Sequence, residues 1–523
     1  MQGSSRNDNW FPTGVRGTAC ALVAVASMLV SAICGSLRAS AAGAAAPAAE
    51  PPVVEDLFGR ALNQCGITIV DWEGYLANPA VKLTLQAPSE ASFPLTVNLS
   101  APETRLYFDM PCEVGEKGPR KTLRLLEAGK GVPFFLAIFP DRDGANEEYQ
   151  LALDWTDSAG RRGRAVIPVH VVDQDRQTDS SFQVAVDFAY DRSGFFNDPL
   201  RRRVVQQAAD DWAYFIDGSG FDPVAPMTEA TLVWMKDWKL PPPHGPMVPN
   251  QQGYRGFWIQ TVGLQVQETR ASGAGTYSER TQSAGGRRLP LARSGNVTFD
   301  PRGNFYPIGW LVSLEDRDWW KHTGQPDRPD DLLSIAHHEI GHALAFNAAH
   351  PGFKGFKSTG RITGPYVQAY HGSDPRLDQR EHMAAAVDRM SRKGGFGQEY
   401  NALMPARRFL ATKLDLLALN AIGYPLRMTS CLAPLSTGAE PPPAARRGVP
   451  YRWRLEASGG VPDYYYRVSA GALPAGLLLD SFTGTITGTP SLPGTFDFTI
   501  QIQDQDDRAR PLAVQRQIRV AAG

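Results

Sequence analysis

Cysteine is scarce, with five in 523 residues, and neither sign of charge is in excess: 53 basic residues face 54 acidic ones, a formal net charge of -1. That balance leaves no basic stripe of the kind that displaces counterions from nucleic acid, so no nucleic-acid partner is expected. No Lys/Arg tract or basic amphipathic helix stands out as a membrane footprint either. Hydrophobic runs are short. The apolar run from Ala19 to Ile33 is followed at once by Gly35, Ser36 and Arg38, and it falls short of the roughly 20 residues needed to span a bilayer.

That run offers an address instead of an anchor. Arg6 and Arg16 precede it, and Ala39-Ser40-Ala41 follows as a small-residue cleavage pattern. Residues 1–41 therefore read as a signal peptide, predicting a secreted or cell-surface protein with no stable membrane span after cleavage. The bulky Ile33, where a lipid-attachment motif wants a small residue, argues against lipidation at Cys34. Cleavage removes Cys20 and Cys34 and leaves Cys65, Cys112 and Cys431, so only one intramolecular disulfide can form. Cys65 with Cys112 is the expected pair, because both fall in one predicted domain.

A chain of this length implies about three or four domains, and a composition of 42% hydrophobic and 20% charged residues is that of folded protein. The reading is multidomain α+β. After a linker over 42–62, residues 63–173 alternate apolar and polar positions in short runs, at Val81 to Leu85, Phe93 to Leu99, Glu148 to Trp155 and Ala165 to Val172. This predicts an N-terminal β-sandwich with no catalytic constellation. A central α/β domain over 181–426 opens with a strand around Val184 to Tyr190. A helix follows from Asp198-Pro199 to Ile216, where Val204, Val205, Ala208, Trp212 and Phe215 form the apolar stripe. Further strands are expected at Thr231 to Met235, Trp258 to Leu264 and Asn296 to Phe299, with a mobile Gly/Ser/Arg-rich loop over 268–292. A second linker, 427–449, precedes a β unit over 450–523.

The chemistry is concentrated in Asp331 to Phe346, where His338-Glu339-Ile340-Gly341-His342 makes an HExxH pattern with Asp330 or Asp331 able to cap the helix. At about 100° per residue the two histidines share a face, and Leu332, Leu333, Ala336, Ile340, Ala343 and Leu344 form the other. Two imidazoles one turn apart can reach one Zn2+, and Glu339 sits beside them as a general base. His337 points about 100° away and reads as an ordinary polar or supporting residue. The expected activity is hydrolysis of peptide bonds, with a protein or peptide substrate. Two other readings stay open: a noncatalytic adhesin with a structural zinc site, and hydrolysis of a different amide, such as one in cell-wall material.

The context HEIGHALAF resembles the metzincin zinc peptidases, which implies a central metzincin-like domain. Their usual glycine and third histidine are replaced here by Ala345 and Ala348. Gly372-Ser373-Asp374-Pro375-Arg376-Leu377-Asp378 followed by Glu381-His382 resembles the distal-ligand loop of leishmanolysin-like and related bacterial peptidases. That resemblance implies His382 as the third zinc ligand, with His350 and His371 as alternatives. Asn401-Ala402-Leu403-Met404-Pro405 resembles a Met-turn, and Thr412 with Asp415 resembles a capping box opening a helix that Gly423 ends. Metzincins pair an edge strand with the substrate backbone, and Asn296 to Phe299 is the expected strand. Cys112, within Met110 to Gly115, also resembles the latency thiolate of matrixin propeptides. At the C-terminus, Gly471 to Leu477, Asp480 to Pro490 and Pro493 to Phe496 closely resemble the immunoglobulin-like modules of bacterial surface proteins. This implies an immunoglobulin-like spacer or binding domain and cell-surface association through the β modules.

Overall fold

A computed structural model describes residues 50–71, 80–101, 105–108, 118–139, 141, 143–175, 182–232, 247–264, 271–276, 282–284, 287–289, 293–302, 309–314, 330–377, 411–427, 432–460, 463–505 and 511–522. The signal-peptide segment, Cys112, Cys431, His382 and the Met404 turn lie outside the described residues. The described chain is rich in β-sheet, with few helices.

Two sheets form the N-terminal unit. One runs in the order Val53–Glu55, Ala80–Gln86, Val132–Ile138, Leu106–Phe108, and the other Ile67–Asp71, Arg162–Asp173, Glu147–Thr156, Leu95–Ser100, Arg120–Leu125. In Ala80–Gln86 the buried Val81, Leu83 and Leu85 alternate with half-buried residues, as the two-residue period of a one-sided strand requires. The two inner faces share one core through Leu83, Leu85, Val97, Leu99, Phe134, Leu151, Trp155 and Ile167. The edge strand Val53–Glu55 pairs with Ala80–Gln86, so sheet structure begins inside the segment read as linker.

The central sheet runs Gln183–Asp187, Tyr254–Gly263, Ser294–Phe299, Ala271–Thr276. The first three strands are parallel and the last is antiparallel. Tyr254–Gly263 alternates across the sheet: Phe257 and Ile259 enter the core shared with the helices, while Trp258 and Val262 pack with Val224 and Val248 on the other face. Strand Ala271–Thr276 corrects two expectations. It lies in the segment read as a mobile loop, which also carries the strand pair Gln282–Ala284 and Arg287–Leu289. By pairing with Ser294–Phe299 it makes that strand interior, so Asn296 to Phe299 is not an edge.

Among the described residues, this unit also has five α-helices: α1 (Pro199–Tyr214), α2 (Leu332–Leu344), α3 (Pro351–Thr359), α4 (Pro365–His371) and α5 (Lys413–Ile422). Asp198 caps α1 by accepting from the Leu200 N–H at 2.8 Å, and Val204, Val205, Ala208 and Trp212 are buried as the stripe predicts. Helix α2 packs on α1 and along strands Ala271–Thr276 and Ser294–Phe299.

The C-terminal unit is a second pair of sheets. One orders Ala445–Arg446, Leu512–Ala521, Gly494–Gln503, Tyr465–Gly471, and the other Tyr451–Arg454, Thr485–Gly488, Leu477–Leu479. Ile486, Phe498, Ile500, Ile502 and Ile518 fill the space between them. Two glycines of the Gly-rich motif have a steric duty: a Cβ on Gly488, at φ 137°, would lie 2.0 Å from the Gly476 carbonyl oxygen. Ala445–Arg446 pairs with Leu512–Ala521, so this unit too begins inside a segment read as linker. It touches the first sandwich where Arg60 pairs with Asp463 at 3.0 Å and Phe58 stacks on Tyr465 at 4.9 Å.

Candidate metal centre

Helix α2 starts where Asp331 turns its carboxylate onto the Ser334 N–H at 3.3 Å and hydroxyl at 2.5 Å, which selects Asp331 over Asp330 as the cap. The expected division into a buried and an open face does not hold. Every residue of α2 is buried except His342, which is partly exposed, because α1 and the sheet enclose the helix. His338 and Glu339 are buried, at 8% and 7% exposure, beside the partly exposed His342.

His338 and His342 converge. Their Nε2 atoms lie 3.1 Å apart, with the rings near perpendicular at 84°. Nδ1 of His342 donates to the Phe346 carbonyl at 2.6 Å, which fixes the tautomer and turns the Nε2 lone pair toward His338. A nitrogen pair held this way fits a borderline cation such as zinc, whose bonds to histidine are about 2.0–2.1 Å. Among the described residues, neither His350 nor His371 joins the pair in a three-donor group.

The chain leaves α2 without the missing glycine. Ala345 adopts φ −154° and ψ −39°, and the Asn347 side chain donates to the His342 carbonyl at 2.6 Å, covering an exposed helix end. His350 then begins α3: its Nδ1 accepts from the Gly352 N–H at 3.0 Å and the side chain is wholly buried. Burial pushes its pKa down to about 4. A Cβ on Gly352 would meet the Ile422 carbonyl oxygen at 2.1 Å, so this turn lies hard against the end of α5. His371 ends α4, with its Nδ1 3.1 Å from Ser373 Oγ.

Supports absent from the motif come from other elements. His337 is a buried structural partner, with Nε2 2.6 Å from Asp211 on α1, while its carbonyl accepts from Trp212 Nε1 at 2.9 Å. Tyr424, just after α5, donates to the Leu344 carbonyl at 2.9 Å. The capping box expected at Thr412 and Asp415 is present, and Gly423 follows the helix at φ 130°. Helix α1 thus holds the middle of the helix that carries the histidines, and Tyr424 after α5 holds its C-terminal end.

Residues 433–515 match the family described as "Putative Ig domain", so the C-terminal unit is an immunoglobulin-like module. No curated protein sequence matches the chain. Among solved structures, a putative alpha-galactosidase from Bacteroides fragilis is 23% identical over 17% of each chain, with a TM-score of 0.15. The N-terminal domain of PorA is 12% identical over 24% of this chain and 98% of its own, with a TM-score of 0.18. A PapD-like domain of human CEP192 is 11% identical over 27% of this chain and 100% of its own, with a TM-score of 0.17. The chain thus spans less than a fifth of the galactosidase it matches. No described helix is long and apolar enough to cross a membrane.

Proposed function

We propose that the protein is an exported, zinc-dependent endopeptidase of the metzincin type, with His338, His342 and His382 as metal ligands and Glu339 as general base. The observation that carries this reading is the 3.1 Å approach of the two Nε2 atoms on a helix whose next residue after His338 is a glutamate. Bound there, zinc would polarise the scissile carbonyl and bring water within reach of deprotonation near neutral pH. Glu339 takes the proton of the attacking water and returns it to the leaving amine. The Phe346 carbonyl holds His342 in its ligating tautomer. The substrate is a protein or peptide in extended conformation. Strand Ala271–Thr276, antiparallel at the sheet edge and packed along α2, replaces Asn296 to Phe299 as the strand that receives it.

The test is incubation of the full-length protein with a diverse peptide mixture, with and without chelator, followed by sequencing of the products. Chelator-sensitive cleavage is expected, with Glu339→Gln slowing it about 10²–10⁴-fold while zinc stays bound. His382→Ala should lower zinc content and abolish cleavage, and His371→Ala should leave both intact. The immunoglobulin-like module supports one other reading, a surface adhesin with a structural zinc site. Bound zinc with no cleavage, unaltered in Glu339→Gln, would establish that reading instead.

A further inference from the structure

Three strand ends of the N-terminal sandwich bring carboxylates together on the side that faces the central unit. Asp71 closes strand Ile67–Asp71, Asp173 closes Arg162–Asp173 beside it, and Asp141 lies just beyond Val132–Ile138. One ligand oxygen from each lies within 4.8 Å of the others. Two oxygens on one Ca2+, each bound at 2.3–2.6 Å, sit at most about 5 Å apart, so the group is already drawn in to the spacing of a shared ion.

Acidic residues gather without a ligand in many proteins, and what separates this group is burial with unmet bonding capacity. Asp71 is 0% exposed. Its Oδ2 accepts from Arg105 and from the Asp141 N–H at 3.2 Å, but its Oδ1 has no donor among the described residues. Asp173 repeats the pattern: one oxygen accepts from the Asp175 N–H at 2.6 Å, and buried Oδ2 has no donor among the described residues. Glu147 adds a third such oxygen, Oε2. Arg105 is the one cation that pairs with this group among the described residues, bonding Asp71, Asp141 and Glu147. Leaving a buried carboxylate oxygen unbonded is costly, and a guanidinium shared three ways does not neutralise four carboxylates.

We propose that Asp71, Asp141 and Asp173, with Glu147 beside them, form a calcium site that joins the N-terminal sandwich to the central unit. The donors are all oxygens, which selects a hard cation over zinc. Ca2+ gives up its water more readily than Mg2+ and tolerates the irregular geometry that three strand ends present. Burial raises the Asp71 carboxyl to about 9 despite Arg105, and the Asp173 carboxyl to about 6, the direction expected of carboxylates whose charge their neighbours do not meet in full. The location gives the ion its purpose. Val70, next to Asp71, is packed in the core of the central unit, and Asp175, two residues past Asp173, accepts from the Tyr214 hydroxyl on α1 at 2.9 Å. An ion bridging Asp71 and Asp173 therefore locks the two strands that carry the sandwich into its neighbour.

The site is independent of the zinc reading, and the test keeps the two apart. Full-length protein in metal-depleted buffer, with no chelator added, is titrated calorimetrically with CaCl2 and then melted with and without 1 mM Ca2+. We expect one binding event and a rise in Tm of roughly 5 °C, both retained in His338→Ala. Asp71→Asn, which removes a buried ligand charge, should show no calcium response. Asp173→Asn, and the half-exposed Asp141→Asn should either buried variant fail to fold, should lose the response as well. No heat and no shift in the wild type, a response that persists in these variants, or an equal response to Mg2+ would overturn the proposal.

Discussion

The helical layer and the acidic corner of the sandwich differ in how far their buried polar groups are met. In the helical layer, several buried groups are met by partners from neighbouring elements: His337 Nε2 by Asp211, the Leu344 carbonyl by Tyr424 and the His337 carbonyl by Trp212, while His337 Nδ1 has no hydrogen-bond partner among the described residues. In the acidic corner of the sandwich, Asp71, Asp141 and Glu147 share Arg105, and one oxygen each of Asp71, Asp173 and Glu147 is left without a donor among the described residues. A satisfied network positions something, here the helix that brings His338 and His342 together. An unsatisfied one leaves bonding capacity that a ligand can use. The contrast separates a loss that damages the fold from a loss that removes a response.

The largest effect is expected where the helical network is cut at its most buried pair. Asp211 and His337 are each 2% exposed, and Asp211→Ala strips the imidazole of its partner between α1 and α2. A loss of about 3–5 kcal/mol is expected, read as a lowered urea midpoint. Asp211→Asn keeps an acceptor at the same place and should recover much of that. If Asp211→Ala proved neutral, the helical layer would be no better satisfied than the acidic corner, and the contrast would fail.

A smaller effect, visible only through pH, tests a buried histidine that caps a helix. His350 accepts a hydrogen bond at Nδ1 from the Gly352 N–H, so protonation there would break the cap of α3. Its pKa lies at about 4, below the ordinary value of 6.5. Below pH 6.5 the unfolded chain therefore takes up a proton that the folded imidazole refuses. This contribution to stability is complete above 6.5 and is lost as pH falls toward 4, by roughly 3 kcal/mol in all. His350→Asn keeps a capping acceptor and cannot titrate. Denaturant midpoints measured from pH 7 to pH 4.5 should fall less steeply in that variant; parallel curves would assign the acid sensitivity elsewhere.

How much of this was legible depends on the reach of each contact. His338 and His342 are four residues apart and Thr412 and Asp415 three, so helical geometry alone brings each pair together, and both could be read from the sequence. His337 and Asp211 are 126 residues apart, and His337 on its own reads as an ordinary polar residue. Asp71, Asp141 and Asp173 come from separate strand ends, and no spacing announces them. Strand Ala271–Thr276, with sequence ASGAGT, has no alternating apolar pattern and looks like a loop. Its strand conformation comes from pairing with Ser294–Phe299, a tertiary contact that outweighs weak local preference. That same pairing misdirected the choice of substrate-binding edge, since a strand's place in a sheet is not a property of its own residues.

The smallest expected effect is a test of satisfaction at a single helix end. Thr412 Oγ1 accepts from the Asp415 N–H at 3.2 Å, while the Asp415 carboxylate accepts from the Thr412 N–H at 2.8 Å. Each side chain thus covers an amide that the first turn of α5 leaves open. Both residues are buried, so water cannot take over when one is removed. Thr412→Ala should therefore cost about 1–2 kcal/mol, the upper part of the range for caps, and Thr412→Ser should cost far less because its hydroxyl still accepts. The readout that ties this to the metal centre is distance: α5 leads to Tyr424, which holds the Leu344 carbonyl at the end of α2. A frayed cap lies at the opposite end of α5 from that contact, so Thr412→Ala should lower Tm while leaving zinc content unchanged. A matching fall in zinc content would mean that α5 moves as a rigid rod, carrying a disturbance at its first turn through to the histidines.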